Sequence, residues 1–384
     1  MDAGASRLAA RGPRGACALF AIRSYRPVSR VQTPPTPGRA AGSNPAGRFE
    51  RRARTPEPDG WDIVEDLAPL RTEVRAERTG RAITRNDSPD LGFDRSVVPY
   101  RGCEHGCIYC YARPTHDFLG MSPGLDFESR LVMRPGLADA LERELARPGY
   151  RPAPIALGTV SDPYQPLERE AGITRAVLEV LERFGHPVVL VTRGALVERD
   201  LDVIGRMAAR RLVRVGVSVP TLDAALSRAM EPRAPAPKRR LRTIRALADA
   251  GVPVRVAVSP VIPALTDHET EAILAAAAEA GADMASCIPL RLPREVAPLF
   301  RAWLAEHRPD RAARVMNRVR EMQGGRDYDP AFGTRMTGQG VWAALLRRRF
   351  ETARVRLGLR AEADDLDCTQ FAVPPRPGDQ LALF

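Results

Sequence analysis

Lysine is nearly missing from this chain. Of its 58 basic residues only Lys238 is a lysine, a bias that reads as GC-rich coding rather than as function. Aromatic residues make up 5%, too few to suggest a groove that stacks several bases. No apolar run approaches the ~18 residues of a membrane span, so no membrane association is expected. The cysteines number six, and Cys17, Cys287 and Cys368 stand isolated. That scatter excludes a disulfide framework and makes a reducing cytoplasm the expected compartment. Acids are scarce at the start: residues 1–54 carry eleven arginines against Asp2 and Glu50, an excess of nine within a formal net charge of +11. The rest of the chain is therefore near balance, at about +2, and basicity alone is weak support for nucleic-acid binding.

The same segment is rich in Arg, Ala, Gly, Ser and Pro, as in Thr33-Pro-Pro-Thr-Pro-Gly38, and can bury little apolar surface. A basic, disordered arm is expected over 1–60. Its likeness to a transit peptide is superficial, and a disordered arm or a start codon assigned too far upstream is the expected reading. A pre-barrel segment over 61–92, a βα domain over 93–292 and a helical extension over 293–384 complete the expected organisation.

The three remaining cysteines fall within Pro99-Tyr-Arg-Gly-Cys-Glu-His-Gly-Cys-Ile-Tyr-Cys-Tyr-Ala-Arg113. The C-x3-C-x2-C spacing of Cys103, Cys107 and Cys110 supplies three thiolates to an iron–sulfur cube that is usually held by four, leaving one iron open to a small molecule. Gly102 and Gly106 let the chain bend so that thiolates close in sequence reach corners of one cube. Tyr109 and Tyr111 flank the last cysteine as candidate walls. Competing readings are a zinc site completed by His105 or His116, a disulfide with one thiol left over, and a chance cluster of inert cysteines.

From about residue 93, short apolar runs alternate with amphipathic stretches, as repeated βα units do. Candidate strands are Ser96–Val98, Ile155–Gly158, Val188–Thr192, Val213–Val219, Val254–Pro260 and Met284–Pro289. Helices are expected near 135–146, 172–184, 199–210, 238–250 and 267–280. Thr266 or Asp267 is expected to cap the last of these, and Gly251 and Gly281 to follow two of them as C′ residues. Six units make three quarters of a (β/α)8 barrel, so the expected fold class is α/β, a partial (β/α)6 TIM-like barrel. Chemistry in such barrels gathers at the strands' C-terminal ends, where the cysteine loop falls. Residues 293–322 and 337–357 read as appended helices, and Arg347-Arg-Arg349 as a solvated helix face or a nucleic-acid patch.

With this motif after a first strand, the chain resembles the radical S-adenosylmethionine superfamily. More narrowly it resembles the spore photoproduct lyase-like branch, through Pro99–Pro114, Thr159-Val-Ser-Asp-Pro-Tyr-Gln-Pro166, Val191-Thr-Arg193, Glu231-Pro-Arg233 and Gly333-Thr-Arg-Met336. The resemblance implies a [4Fe–4S] cluster on Cys103, Cys107 and Cys110, and S-adenosyl-L-methionine on the open iron. It further implies a reducing electron donor of flavodoxin or ferredoxin type, and reductive cleavage to a 5′-deoxyadenosyl radical that abstracts hydrogen from substrate. Nucleic acid is the favoured substrate class by analogy alone. The resemblance places Tyr109 against the adenine, Ser161 and Asp162 near the cofactor's amino end, Arg193 on its carboxylate and Ser218 on its ribose or carboxylate.

One departure counts. Where true spore photoproduct lyases carry a hydrogen-donating cysteine, this chain has Thr159, whose O–H bond is far stronger than a thiol's. Cys287 reads as a buried structural thiol. The alternative function is a nucleic-acid-binding protein with a structural metal cluster and an Arg-rich arm, which predicts steeply salt-dependent binding. Oligomeric state is not legible.

Overall fold

The structure, a computed structural model, describes residues 38–49, 70–361 and 364–375. Its strands are β1 (Glu73–Ala76), β2 (Ile83–Arg85), β3 (Arg95–Val97), β4 (Tyr100–Arg101), β5 (Arg130–Met133), β6 (Ile155–Leu157), β7 (Val188–Thr192), β8 (Val213–Ser218), β9 (Val254–Val261) and β10 (Met284–Pro289). The helices are α1 (Leu125–Ser129), α2 (Leu137–Leu145), α3 (Glu168–Ala171), α4 (Ile173–Arg183), α5 (Leu201–Ala209), α6 (Ala224–Met230), α7 (Pro237–Asp249), α8 (Thr270–Glu279), α9 (Val296–His307), α10 (Pro309–Met322) and α11 (Gly340–Arg356). No helix among the described residues is long and apolar enough to cross a membrane.

The main sheet runs β10-β9-β8-β7-β6-β3-β2. Each neighbouring pair from β3 to β10 is parallel, and β2 closes one edge antiparallel to β3. The expected six strands are thus present, in sequential order. Parallel strands covered on both faces read as continuous β-branched runs. Val188-Val-Leu-Val-Thr192 and Val213-Arg-Val-Gly-Val-Ser218 are rich in β-branched residues, and Val188, Leu190, Val213, Val215 and Val217 are fully buried. Because the strands are parallel, the loops after their C-terminal ends lie at one end of the sheet. The cysteine loop begins five residues past β3, after the two-residue β4.

Several features differ from the sequence expectation. A second, three-stranded sheet, β1-β5-β4, stands beside the cysteine loop. Its strands are four residues or shorter, and β1 is exposed throughout, so they are too short or too polar to show the apolar alternation that marks a strand in sequence. Thr266 does not cap α8. Its hydroxyl accepts from the Ile262 N–H at 2.9 Å, and a 3-10 turn over Asp267–Glu269 precedes the helix. Gly251 and Gly281 do adopt positive φ just past α7 and α8. The appended helices are α9, α10 and α11, with Pro309 opening the second at N1, where its missing N–H costs nothing. Most of the arm expected over 1–60 lies outside the described residues. Its described part, 38–49, is packed rather than loose, with Ala40 and Ala41 buried in the apolar cluster that also holds Cys107, Ile108, Phe300 and Trp303.

Gly158, just past β6, has φ +92°, and a Cβ there would lie 2.0 Å from the Val191 carbonyl oxygen. A left-handed backbone and a close approach of two strand ends both require glycine here. Gly158→Ala is expected to lower the unfolding free energy by at least ~2 kcal/mol, measured by urea denaturation. An unchanged midpoint would contradict this packing.

Candidate active site: three thiols at the strand ends

Cys103, Cys107 and Cys110 line one cavity together with Tyr111, Ala112, Phe127, Gly158, Thr159, Val160, Ser161, Asp162, Val191, Thr192, Arg193 and Ser218. The room it leaves for a water-sized sphere is about 70 Å³. A larger surface cleft runs along Arg81, Arg85, Arg147 and Tyr150, but no cysteine lines it. Cys103 and Cys107 are buried and Cys110 is partly so. The three therefore ring one space at the C-terminal ends of β6, β7 and β8. Among the described residues no three His, Cys, Asp or Glu side chains converge tightly enough for a single metal ion.

The loop is held from beneath by a buried ion pair. Arg113, wholly inaccessible, donates through Nε to the Cys107 carbonyl (2.9 Å), through Nη2 to the Gly106 carbonyl (3.0 Å) and to Glu128, and through Nη1 to the carbonyls of Pro123 (3.1 Å) and Gly124 (2.9 Å). All sides of the guanidinium fork are thus used. Glu128 also accepts from the Ala40 N–H (3.1 Å) and the Ala41 N–H (3.0 Å), so residues 38–49 complete this support. Gly106 is required because a Cβ would lie 2.6 Å from Glu128 Oε2. Buried Gln165 brackets the loop's start, accepting from the Glu104 N–H (2.8 Å) and donating to the Gly102 carbonyl (3.3 Å).

A second buried network lies at the inner end. Glu231 accepts from Arg240, Tyr109 and Arg193 (3.1 Å), and the Arg193 guanidinium also donates to the Cys107 sulfur. Burial works against the Glu231 carboxylate, but Arg240 and Arg193 outweigh it and hold its pKa below the usual range. Burial pushes the Cys107 and Cys110 thiols up, with Arg193 opposing. Asp162 accepts from the Tyr164 N–H (2.9 Å), forming an Asx-turn, and from Thr192 Oγ1 (2.6 Å) and the Arg193 N–H (2.8 Å). His105 Nδ1 lies 3.3 Å from Asp162, an ion-pair distance without hydrogen-bond alignment. Burial alone would lower the His105 pKa, but Asp162 and Cys103 raise it to about 9.

Of the residues expected at the site, the structure brings Cys103, Cys107, Cys110, Ser161, Asp162, Arg193 and Ser218 to the cavity. Tyr109 is not among its lining residues, because its phenol turns inward to Glu231. Tyr111 stands at the mouth instead, half exposed, donating to the Thr159 carbonyl at 2.5 Å, with the Arg291 guanidinium 4.8 Å above its ring. Cys287 lies away from the cavity against the main core, its thiol pushed up to about 12 by burial. Cys17 lies outside the described residues. Arg113, Glu128 and Arg240 were not singled out in the sequence: no spacing rule marks a single arginine or glutamate as buried. Glu231 appeared only within a motif piece, without a role.

The Radical SAM superfamily model matches residues 97–277, the span that holds the motif and the parallel strands. An uncharacterized protein of Mycobacterium tuberculosis is 37% identical over 261 residues, covering 67% of this chain and 76% of that protein. The chain belongs to the radical SAM superfamily. A second uncharacterized protein, from Methanocaldococcus jannaschii, is 27% identical over 173 residues, 45% of this chain and 62% of that protein. A spore photoproduct lyase mutant with bound AdoMet and dinucleoside spore photoproduct shares the fold, with a TM-score of 0.54 at 16% identity over 74% of this chain and 80% of that one. The protein is thus a radical SAM enzyme, whose cofactors are a [4Fe–4S] cluster and S-adenosylmethionine. Like other members it needs an electron donor.

The residues present fit those cofactors. Cys103 and Cys107, both buried, and Cys110, partly so, line one space, and thiolates are the ligands that hold such a cube. Thr159 Oγ1, on the cavity wall, is buried without a hydrogen-bond partner among the described residues, and such atoms in native proteins usually face a ligand or water.

Removing Glu231 would leave Arg240 buried without its counter-charge. Glu231→Ala is expected to cost about 3–5 kcal/mol, read from chemical denaturation, with Glu231→Gln losing less. A loss below ~1 kcal/mol would show that the network carries little of the site's stability.

Proposed function

We propose that Cys103, Cys107 and Cys110 hold the [4Fe–4S] cluster in this cavity, at the mouth of a three-quarter (β/α)6 barrel, and that the enzyme abstracts hydrogen from a nucleic-acid substrate. The observation that carries the reading is that three cysteines of one short loop line a single cavity at parallel strand ends. When bound, the cofactors supply reductive cleavage of a sulfonium C–S bond and hydrogen abstraction from substrate. The chain's own residues bind, orient and shield.

Arg193, ending β7, brings a guanidinium to the inner end of the cavity, where it can pair bidentately with the carboxylate of S-adenosylmethionine. Ser161 and Ser218 carry hydroxyls at the ends of β6 and β8. Both now bond to backbone carbonyls, Tyr100 O at 2.6 Å and Ser259 O at 3.0 Å, and each retains acceptor lone pairs for a donor on the cofactor. Asp162 acts at one remove: it fixes the backbone of Arg193 and faces His105 at 3.3 Å. Phe127, Val160 and Val191 give the cavity apolar walls that exclude water.

Nucleic acid is favoured as substrate because the fold is shared with spore photoproduct lyase bound to a dinucleoside photoproduct, and because Arg291 and Tyr111 offer a cation and an aromatic face at the mouth. Repair of that photoproduct itself is not proposed, since Thr159 occupies the wall where a thiol donor is needed. No observation favours the alternative of a purely structural cluster.

Anaerobic reconstitution with iron and sulfide, reduction with dithionite and addition of S-adenosylmethionine tests the reading. The expected product is 5′-deoxyadenosine. A fully loaded protein that forms none contradicts it. Cys107→Ala is expected to lose both the brown chromophore and the product. Thr159→Ala is expected to keep most of the cofactor cleavage, and its near-total loss would give Thr159 a role in holding the cofactor.

A further inference from the structure

One nitrogen of Arg193, Nη1, serves three partners: it donates to the Cys107 sulfur, to Glu231 Oε1 at 3.1 Å and to the Tyr109 hydroxyl at 3.4 Å. Nε and Nη2, on the other edge of the guanidinium, have no hydrogen-bond partner among the described residues. Arg193 lines the cavity with 21% of its side chain exposed. One edge therefore meets a cysteine of the trio, and the other stays free for an anion such as the S-adenosylmethionine carboxylate. A planar guanidinium can divide its donors in this way, whereas a lysine ammonium is a single point charge.

The contact with Cys107 is firmly built. The Arg193 backbone N–H donates to Asp162 Oδ2 (2.8 Å), and the guanidinium lies 5.8 Å from the centre of the Tyr109 ring. Glu231 is buried and is held in turn by Arg240, which also donates to the carbonyls of Pro235 (2.8 Å) and Ser218 (3.1 Å). The arrangement answers an electrostatic problem. The Cys107 thiol donates to Glu231 Oε1 at 3.8 Å. A metal-bound cysteine has lost that proton, and a thiolate so close to a buried carboxylate is repelled by it. Arg193 Nη1 is bonded to both groups and reconciles the two anions.

We propose that Arg193 sets the reduction potential of the cluster through the Cys107 sulfur, while Glu231 holds the guanidinium still and partly offsets its charge. This rests on the cluster reading above and adds a role for the neighbour of one ligand. Reduction places one electron on the cluster, with no bond made or broken, so negative charge grows at the thiolate sulfurs. A cation donating to one of those sulfurs favours the reduced state over the oxidised one. Arg193 thus makes the cluster easier to reduce, and a carboxylate at the same sulfur makes it harder.

The test is potentiometry of the full, cluster-loaded chain, followed by the electron paramagnetic resonance signal of the reduced cluster. It is run without S-adenosylmethionine, so that binding of that cofactor does not enter. Arg193→Gln removes the cation. At the potential that half-reduces the parent, its ratio of reduced to oxidised cluster is expected to fall about tenfold, a midpoint ~59 mV lower. Arg193→Lys keeps the charge and should recover part of the shift. Glu231→Gln removes the opposing charge, and its midpoint should rise. These opposite signs exclude a merely structural role, because a loosened loop lets water reach the cluster and moves both midpoints the same way. An Arg193→Gln midpoint equal to or above the parent's would overturn the proposal. So would a Glu231→Gln midpoint equal to or below it, and this variant decides alone where Arg193→Gln takes up no cluster. A parent that takes up no [4Fe–4S] cluster overturns the proposed function itself.

Discussion

The site depends on one buried charge pair. Arg113 and Glu128 are both inaccessible to solvent, and burying two ions is unfavourable unless nearly every donor and acceptor is used. Here the guanidinium is shared among four carbonyls and the Glu128 carboxylate, while the carboxylate collects two backbone N–H groups from residues 40 and 41. The consequence is geometric. The carbonyls of Gly106 and Cys107 are pinned to a fixed point, so the thiols above them ring the cavity from one side. A loop rich in glycine has little stiffness of its own, and the ion pair supplies it from below.

A second pinned point lies across the cavity. Glu231, at the end of α6, is bound by Arg240 from α7 and by Arg193 from the end of β7, and it holds the phenol of Tyr109 within the cysteine loop. One carboxylate therefore ties two βα units to the loop. Buried polar networks are costly when any member is unpaired and specify a single arrangement when all are paired. The polar groups of this site follow that rule with few exceptions, and one of those, Thr159 Oγ1, faces the cavity.

The sequence made the parallel strands legible because buried parallel strands are written as β-branched runs, and the six expected strands differ from those observed by at most one residue at either end. The thiol trio was legible because its spacing has few other chemical uses. Less legible were contacts made by residues with no periodic signature. β1, β4 and β5 are two to four residues long, so no alternation announces them. Arg113 and Glu128 look like ordinary surface residues until the fold buries them. Residues 38–49 belong by composition to a disordered arm, yet Arg39 donates to the Glu128 carbonyl (2.5 Å), to Leu70 O (3.0 Å) and to Thr72 Oγ1 (3.0 Å), a tertiary override that local composition does not encode. Tyr109 is a different case. The resemblance places it against the adenine, while in the structure its phenol bonds buried Glu231 and its neighbour Tyr111 lines the cavity.

The central claim is that three thiols of one loop leave an iron of the cluster open to S-adenosylmethionine. Electron paramagnetic resonance of the dithionite-reduced, anaerobically reconstituted protein, recorded with and without S-adenosylmethionine, addresses it most directly. The account predicts a reduced [4Fe–4S] signal whose g-values shift when S-adenosylmethionine is added. A protein that holds zinc without inorganic sulfide, or a cluster signal indifferent to S-adenosylmethionine, would contradict it.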